Sequence, residues 1–346
     1  VSTLKSTVEA GASRSTLRRT GLAVGVLVLL VLSLLSLAVG SRGIPLGTTL
    51  QALFSHDPTN DLHLLVVDLR VPRTLLALVV GAALGLAGTI MQALTRNPLA
   101  EPGILGINAG AAAAVAIGIS ALGITTIMGY VWLGFLGAGL AGVAVYVLGR
   151  AHDVGTNPVR LVLAGAGIGF VLLALTNMVL INSDETTYDA YRNWNTGSLQ
   201  GRGWEVLPVV AVVCAVGFVI AFALSRSLDS VALGSDLSTA LGISQRRTWI
   251  LAAVAVLLLS GAATAAAGPI AFVGLAAPHV ARLLVGPVHT WLLPYAMLLG
   301  ALLMLLADVA GRVVIYPGEI GAGVMTAIIG GPFFVVLVRR RKMATL

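Results

Sequence analysis

Residues 74–95 read T-L-L-A-L-V-V-G-A-A-L-G-L-A-G-T-I-M-Q-A-L-T, twenty-two consecutive positions without an Asp, Glu, Lys or Arg. As a helix rising 1.5 Å per residue this stretch is ~33 Å long, enough to cross the ~30 Å hydrocarbon core of a bilayer. Its apolar residues follow one another without two-residue alternation, which excludes a membrane β-barrel strand. Seven more charge-free stretches flank it, at residues 21–41, 102–149, 161–183, 206–225, 248–281, 283–307 and 320–338. A charge at the bilayer centre costs about 2.5–3.5 kcal/mol, so such stretches mark spans. Residues 102–149 and 248–281 are too long for one span each, and the glycines at 123–129 and the Gly268-Pro269 pair break them into hairpins. The spacing therefore predicts an all-α, polytopic membrane protein of ten transmembrane helices. The second member of the later hairpin, near 270–285, is too short to cross fully.

Composition agrees. Of 346 residues, 58% are hydrophobic and 10% charged, where soluble domains carry about 25% charged residues. A soluble enzyme, a secreted disulfide scaffold and a disordered chain are excluded. The net charge of +7 suggests no nucleic-acid partner, because no basic run is interleaved with base-stacking aromatics. Cys214, the single cysteine, lies in an apolar run and forms no internal disulfide.

Ten spans put both termini on one side. Placing them in the cytoplasm leaves 15 of the 21 basic residues and 5 of the 14 acids inside, a positive-inside pattern. The expected organisation is a cytoplasmic tail at 1–20, a permease domain at 21–338 and a basic cytoplasmic tail at 339–346. The first apolar run is too long for a signal peptide, and no A-x-A site follows it. Residues 42–71 mix polar and apolar positions and are expected to fold on the outer surface. Residues 226–247 lie inside, where 228–233 and 236–241 read as two short helices broken at Gly234 and ended at Gly242. Helices this short need a surface to dock on, either the chain's own spans or a partner's cleft.

Residues 81–88, G-A-A-L-G-L-A-G, recur as G-A-A-T-A-A-A-G at 261–268, and L-A-E-P at 99–102 recurs as L-A-A-P at 275–278. Five spans separate the copies, so they face opposite ways, as in inverted-repeat transporters. No acid lies within a predicted span; Glu101 and Asp308 fall at span ends. The only lysines, Lys5 and Lys342, follow no glycine-rich loop, which excludes a P-loop on this chain. A passive channel or a subunit driven by a partner ATPase remains.

Six further motifs run in order along the chain: R-V-P-R-T-L at 70–75, G-A-A-L-G-L-A-G-T-I-M-Q-A-L-T-R-N-P-L-A-E-P-G-I-L-G at 81–106, and W-N-T-G-S-L at 194–199. A-L-G at 232–234 with A-L-G-I at 240–243, G-P-I-A-F-V-G-L-A-A-P-H-V-A-R at 268–282 and A-D-V-A-G-R at 307–312 complete the set. Together they are similar to those of the iron-siderophore, haem and cobalamin permeases of ABC importers, the FecCD type. The resemblance implies a ten-span subunit with opposed halves, and Arg70, Arg73 and Arg312 receiving acids of a substrate-binding protein on the outer face. Nearby Asp68 and Asp308 offer local neutralisation as the competing role for these arginines. The resemblance also implies that 228–244 couples to the ATPases, through Leu228, Leu233, Gly234, Leu237, Ala240, Leu241 and Gly242. The matching cytoplasmic gate residues are Asn97, Pro98 and Leu99 with Pro158 and Val159, where Asn157-Pro158-Val159 departs from the small hydroxyl residues of some relatives. Pathway candidates are Thr176, Asn177, Met325 and Thr326, for which ordinary helix packing is the competing role. His279 reads as structural, and the spacing of His56, Asp57, Asp61 and His63 fits no standard metal site.

The expected function is the permease subunit of an ATP-driven importer of ferric siderophore, haem or a cobalamin-like chelate in the bacterial cytoplasmic membrane. The alternative is a stand-alone secondary transporter or channel. Implied partners are a second permease copy or sister permease, two ATP-binding subunits, an extracytoplasmic binding protein and the lipid bilayer, with no nucleic acid. The chain itself is expected to be no enzyme and to hold no cofactor or metal; ATP and magnesium belong to the partner ATPase.

Overall fold

The computed structural model describes residues 2–40, 42–149, 158–232, 238, 240, 243–315 and 317–339, and the described residues are helical with no strand. In chain order, α1 is Ser2–Ala38, α2 Leu46–Phe54 and α3 Asp61–Leu64, which runs through a π turn at Leu65–Arg70 into α4, Val71–Thr95. A 3₁₀ turn at Pro102–Leu105 leads to α5, Ile107–Leu122, and α6, Ile127–Leu148. Then come α7 (Pro158–Ile181), α8 (Glu185–Asn195), α9 (Val206–Ala223) and α10 (Ser225–Ala232). The last are α11 (Gln245–Ala267), α12 (Val273–Val285), α13 (His289–Val314) and α14 (Ala322–Arg339). Seven described helical stretches are long and apolar enough to cross a membrane: those centred on α1, α4, α6, α7, α9, α11 and α13; α5, α12 and α14 are shorter apolar helices.

Both long apolar runs break where the glycines sit. Gly123 caps α5 at φ 62°, and the Thr126 hydroxyl caps α6 by accepting from the Gly129 N–H at 3.2 Å. Gly268 ends α11 at φ 78°, a backbone region that disfavours any Cβ. The following α12 has 13 residues, ~20 Å, shorter than the hydrocarbon core. Residues 42–71 fold into α2, α3, the π turn and the start of α4, packed around Ile44, Ala52 and Val66.

The core centres on α4, which packs against α9, α11, α12 and α13. Its glycines set the approach: a Cβ at Gly81, Gly85 or Gly88 would overlap the carbonyl oxygens of Gly300, Ala296 and Gly274. The matching block on α11 is used differently, since a Cβ at Gly261 would meet only Ala138 and Phe135 at ordinary van der Waals distance. By contrast α1, α7 and α9 leave large apolar side chains uncovered, among them Leu27, Leu30, Phe170, Val171, Met178 and Val219.

The motifs quoted above meet in pairs. Gln92 accepts from the Arg282 guanidinium at 3.1 Å, and Glu101 accepts from the Phe272 N–H at 3.1 Å. That bond holds Phe272 in the left-handed region at φ 70°. Residues 194–199 dock on 267–269 and 321–323, with the Ser198 N–H donating to Ala267 O at 2.7 Å and the Gly323 N–H to Gly197 O at 2.8 Å. His279 is buried, its ring edge-on to Phe333.

Candidate functional site: an arginine crevice at one end of the bundle

The π turn and the first turn of α4 bring Arg70 and Arg73 to the end of the bundle where α13 presents Asp308 and Arg312 one turn apart. Arg73 donates to both oxygens of Asp308, through Nε at 3.1 and 3.2 Å and Nη2 at 2.9 Å, and to Glu319 through Nη1 at 2.8 Å. Arg312 donates to Asp308 through Nε at 3.0 Å and makes a second, very short contact to it through Nη2. It also reaches Ser36 O at 3.0 Å and Ser36 Oγ at 3.1 Å on α1. Arg70 donates to the carbonyls of Leu37, at 2.7 Å, and of Arg42.

The geometry corrects two expectations. Arg70 and Arg312 are buried, as is Asp308. Local neutralisation holds for Arg312 and adds Arg73 and Glu319, but Asp68 is not the partner of Arg70, which is bound by backbone carbonyls. Asp308 lies inside α13 rather than at a span end. A carboxylate receiving two guanidiniums can stay in such a place, whereas a lone one would be several kcal/mol too costly.

The arginines line a crevice of about 270 Å³ together with Arg42, Arg202 and Glu319. Arg202 comes from the loop after α8, whose Trp204 indole N–H donates to Val67 O at 3.0 Å and pins the loop over the π turn. Sequence reasoning missed Arg202; its signal was a basic residue on the predicted outer side between Gly201 and Gly203.

At the opposite end, α10 packs against α4, α9, α11 and α13. Leu228 is fully buried in the chain's own core, so it anchors this segment instead of offering a contact. Ala240 is exposed, while Leu233, Gly234, Leu237, Leu241 and Gly242 lie outside the described residues. The Asp229 carboxylate accepts from the His289 N–H at 2.8 Å and lies 2.7 Å from its Nδ1, tying α10 to the start of α13. Burial raises the Asp229 pKa, but the His289 hydrogen bonds outweigh it and hold the carboxyl below its ordinary value. Arg96 donates to Val231 O at 3.1 Å, tying the loop after α4 to the same helix.

In that loop Asn97 accepts from the Leu99 N–H at 2.9 Å, with Pro98 and Leu99 half-buried. Pro158 begins α7 and Val159 is exposed. Of the pathway candidates, Asn177 is exposed, whereas Thr176, Met325 and Thr326 are buried. Both threonine hydroxyls bond their own helix, to Leu172 O and Gly323 O. Around the expected non-metal cluster, the His63 ring accepts from the Asp57 N–H at 3.1 Å.

The model of the FecCD transport family matches residues 28–340. The chain belongs to the FecCD transport family. Curated FecCD relatives include the ferric enterobactin transport system permease protein FepD of Escherichia coli, 43% identical over 91% of this chain and 93% of that protein. Another is the iron(3+)-hydroxamate import system permease protein FhuB of Bacillus subtilis, 38% identical over 92% and 82% of the two chains. A solved inward-facing structure of a metal-chelate type ABC transporter superimposes with a TM-score of 0.82 at 29% identity, covering 93% of this chain and 99% of that one. The FecCD membership fits the all-helical, apolar architecture and makes this chain a membrane permease.

Proposed function

We propose that the chain is the membrane-spanning subunit of an ATP-driven importer that receives a ferric siderophore from a substrate-binding protein. The observation that carries this reading is the likeness to the ferric enterobactin permease, which covers 91% of the chain. The working assembly has a second permease copy and two ATP-binding subunits that hold ATP and magnesium, and it sits in the cytoplasmic membrane with both termini inside. Ten spans in two inverted halves are supported by recurrent pairing: α4 on α13 is echoed by α11 on α6, and the hairpin α5–α6 by α12–α13.

In this reading Arg70, Arg73 and Arg312 form the docking face. Five guanidiniums line the crevice, more positive charge than Asp308 and Glu319 balance. Docked acids would complete the neutralisation. Residues 228–244 carry the ATPase stroke, with Leu228 as root and the Asp229–His289 and Arg96–Val231 contacts passing it to α13 and α4. Residues 97–99 with 158–159 gate the cytoplasmic side, and α7 and α14 line the path. No chemistry is done on the substrate.

The test is ATPase stimulation of the assembled complex by binding protein loaded in turn with ferric siderophores, haem and cobalamin; stimulation by a ferric siderophore is expected. Selective flux through the chain reconstituted alone would instead establish a secondary transporter or channel. Docking is tested with Arg70→Gln, because Arg70 has backbone partners and its loss strands no acid. Binding-protein affinity should fall about ten-fold with assembly unchanged; unaltered affinity removes Arg70 from the docking face.

A further inference from the structure

Arg202 differs from the other arginines of the crevice. Arg73 and Arg312 have carboxylate partners and Arg70 has carbonyls, but the buried Nε of Arg202 has no hydrogen-bond partner among the described residues. The residue is 8% exposed. Burial lowers its pKa, partly countered by Tyr130. A buried, unsatisfied charged donor is destabilising unless something arrives to satisfy it.

Its position indicates what arrives. A second cavity, of about 690 Å³, adjoins the crevice and is lined by Tyr130, Trp194 and Asn193. Gln200, Arg202 and Glu319 line both spaces, so Arg202 stands in the wall they share. The larger space lies within the ~300–1,000 Å³ range of small-molecule sites. A small anion in this space is the kind of partner that the Arg202 Nε lacks within the described chain.

We propose that Arg202 is a substrate-contacting residue that pairs with the negatively charged oxygens of an anionic ferric chelate passing from the crevice into the larger cavity. This rests on the importer reading above. Charge decides which chelates feel it. Iron(III) held by three catecholate dianions is a trianion, whereas iron(III) held by three hydroxamate monoanions is neutral.

The test uses the permease–ATPase complex in nanodiscs without binding protein, and reads quenching of tryptophan fluorescence, with Trp194 in the cavity wall, by a hexadentate iron(III) tricatecholate. Saturable quenching is expected, about ten-fold weaker in Arg202→Gln and within about three-fold of wild type in Arg202→Lys. Neutral iron(III) trihydroxamate should bind both variants as it binds wild type. The proposal is overturned by absent quenching in wild type, by unchanged affinity in Arg202→Gln, by equal loss in Arg202→Lys, or by equal loss for the neutral chelate. A fall in binding-protein affinity with Arg202→Gln also overturns it, since Arg202 would then be a docking residue. ATPase stimulation by loaded binding protein is read on the same wild-type preparation. Its failure with every chelate sinks the importer reading, whereas normal stimulation with unchanged chelate affinity in Arg202→Gln sinks the Arg202 assignment alone.

Discussion

Asp308 is the residue on which the crevice depends, and replacing it with Asn tests the whole arrangement. Its side chain is fully buried and accepts from two guanidiniums. Asn keeps the shape and one acceptor oxygen but removes the charge, leaving Arg73 with Glu319 and Arg312 with only Ser36. Breaking a buried ion pair from one side costs ~3–5 kcal/mol; the retained oxygen puts the expected loss near the lower end, ~3 kcal/mol. At about 2–4 °C per kcal/mol, the unfolding midpoint should fall by roughly 6–12 °C. Cys214 supplies the assay, being the only cysteine and fully buried. A thiol-reactive dye added to detergent-solubilised protein reports unfolding as that side chain is uncovered. Pairing Asp308→Asn with Arg312→Gln separates the ion pair from general damage. The double variant should be less destabilised than the sum of the singles by about 2 kcal/mol, because neighbours in one network do not add. A midpoint shift under about 2 °C for Asp308→Asn, or additivity within ~0.5 kcal/mol, would refute the network.

Gly88→Ala should destabilise by ~3 kcal/mol or more, since its Cβ would overlap the Gly274 carbonyl across the α4–α12 contact, whereas Gly139→Ala, which meets nothing, should be neutral or gain up to ~1 kcal/mol; the same dye assay compares them. Asp229 has a carboxyl held below its ordinary pKa, so its contribution is present above the unfolded value of about 3.9 and lost as pH falls through the lower folded value. Tryptophan-monitored unfolding should therefore show a steeper loss of midpoint below about pH 4 in wild type than in Asp229→Asn; matching acid limbs would discard the Asp229–His289 tie. Arg96→Ala should speed hydrogen exchange at the carboxyl end of α10 by removing the Val231 bond, and unchanged exchange there would detach α10 from the loop after α4.

The apolar helices were readable because each is a local property: a run of apolar residues, with glycine where the run must turn. The breaks at 123–126 and after Ala267, and the short α12, follow from such runs. The function class was readable from motifs for a related reason, since each motif is a contact surface and the motifs meet in pairs, as Glu101 with Phe272 and Gln92 with Arg282. The crevice was only half readable. Arg70, Arg73 and Arg312 stood out as basic residues on the predicted outer side, but burial and pairing depend on neighbours far away in sequence, so Asp308 looked like the end of a span. Arg202 left a weak signal between two glycines. Leu228 read as part of a short helix that docks on either the chain's own spans or a partner's cleft, because sequence does not tell which surface covers an apolar face.

The pairing of Arg73 with Asp308 also sets an order of events during synthesis. The two residues are 235 positions apart, a delay of roughly ten to fifty seconds at ~5–20 residues per second. Through that interval α4 sits in the bilayer with its arginine uncompensated, and the long side chain must reach for the water–lipid boundary. Arg312 has no such wait: it emerges four residues after Asp308 and enters the membrane already paired. The pairing of Arg73 is therefore completed only once α13 and Glu319 have been made. Truncated chains ending before residue 308 should accumulate as substrates for membrane quality-control proteases, while chains that include α13 and Glu319 should escape them.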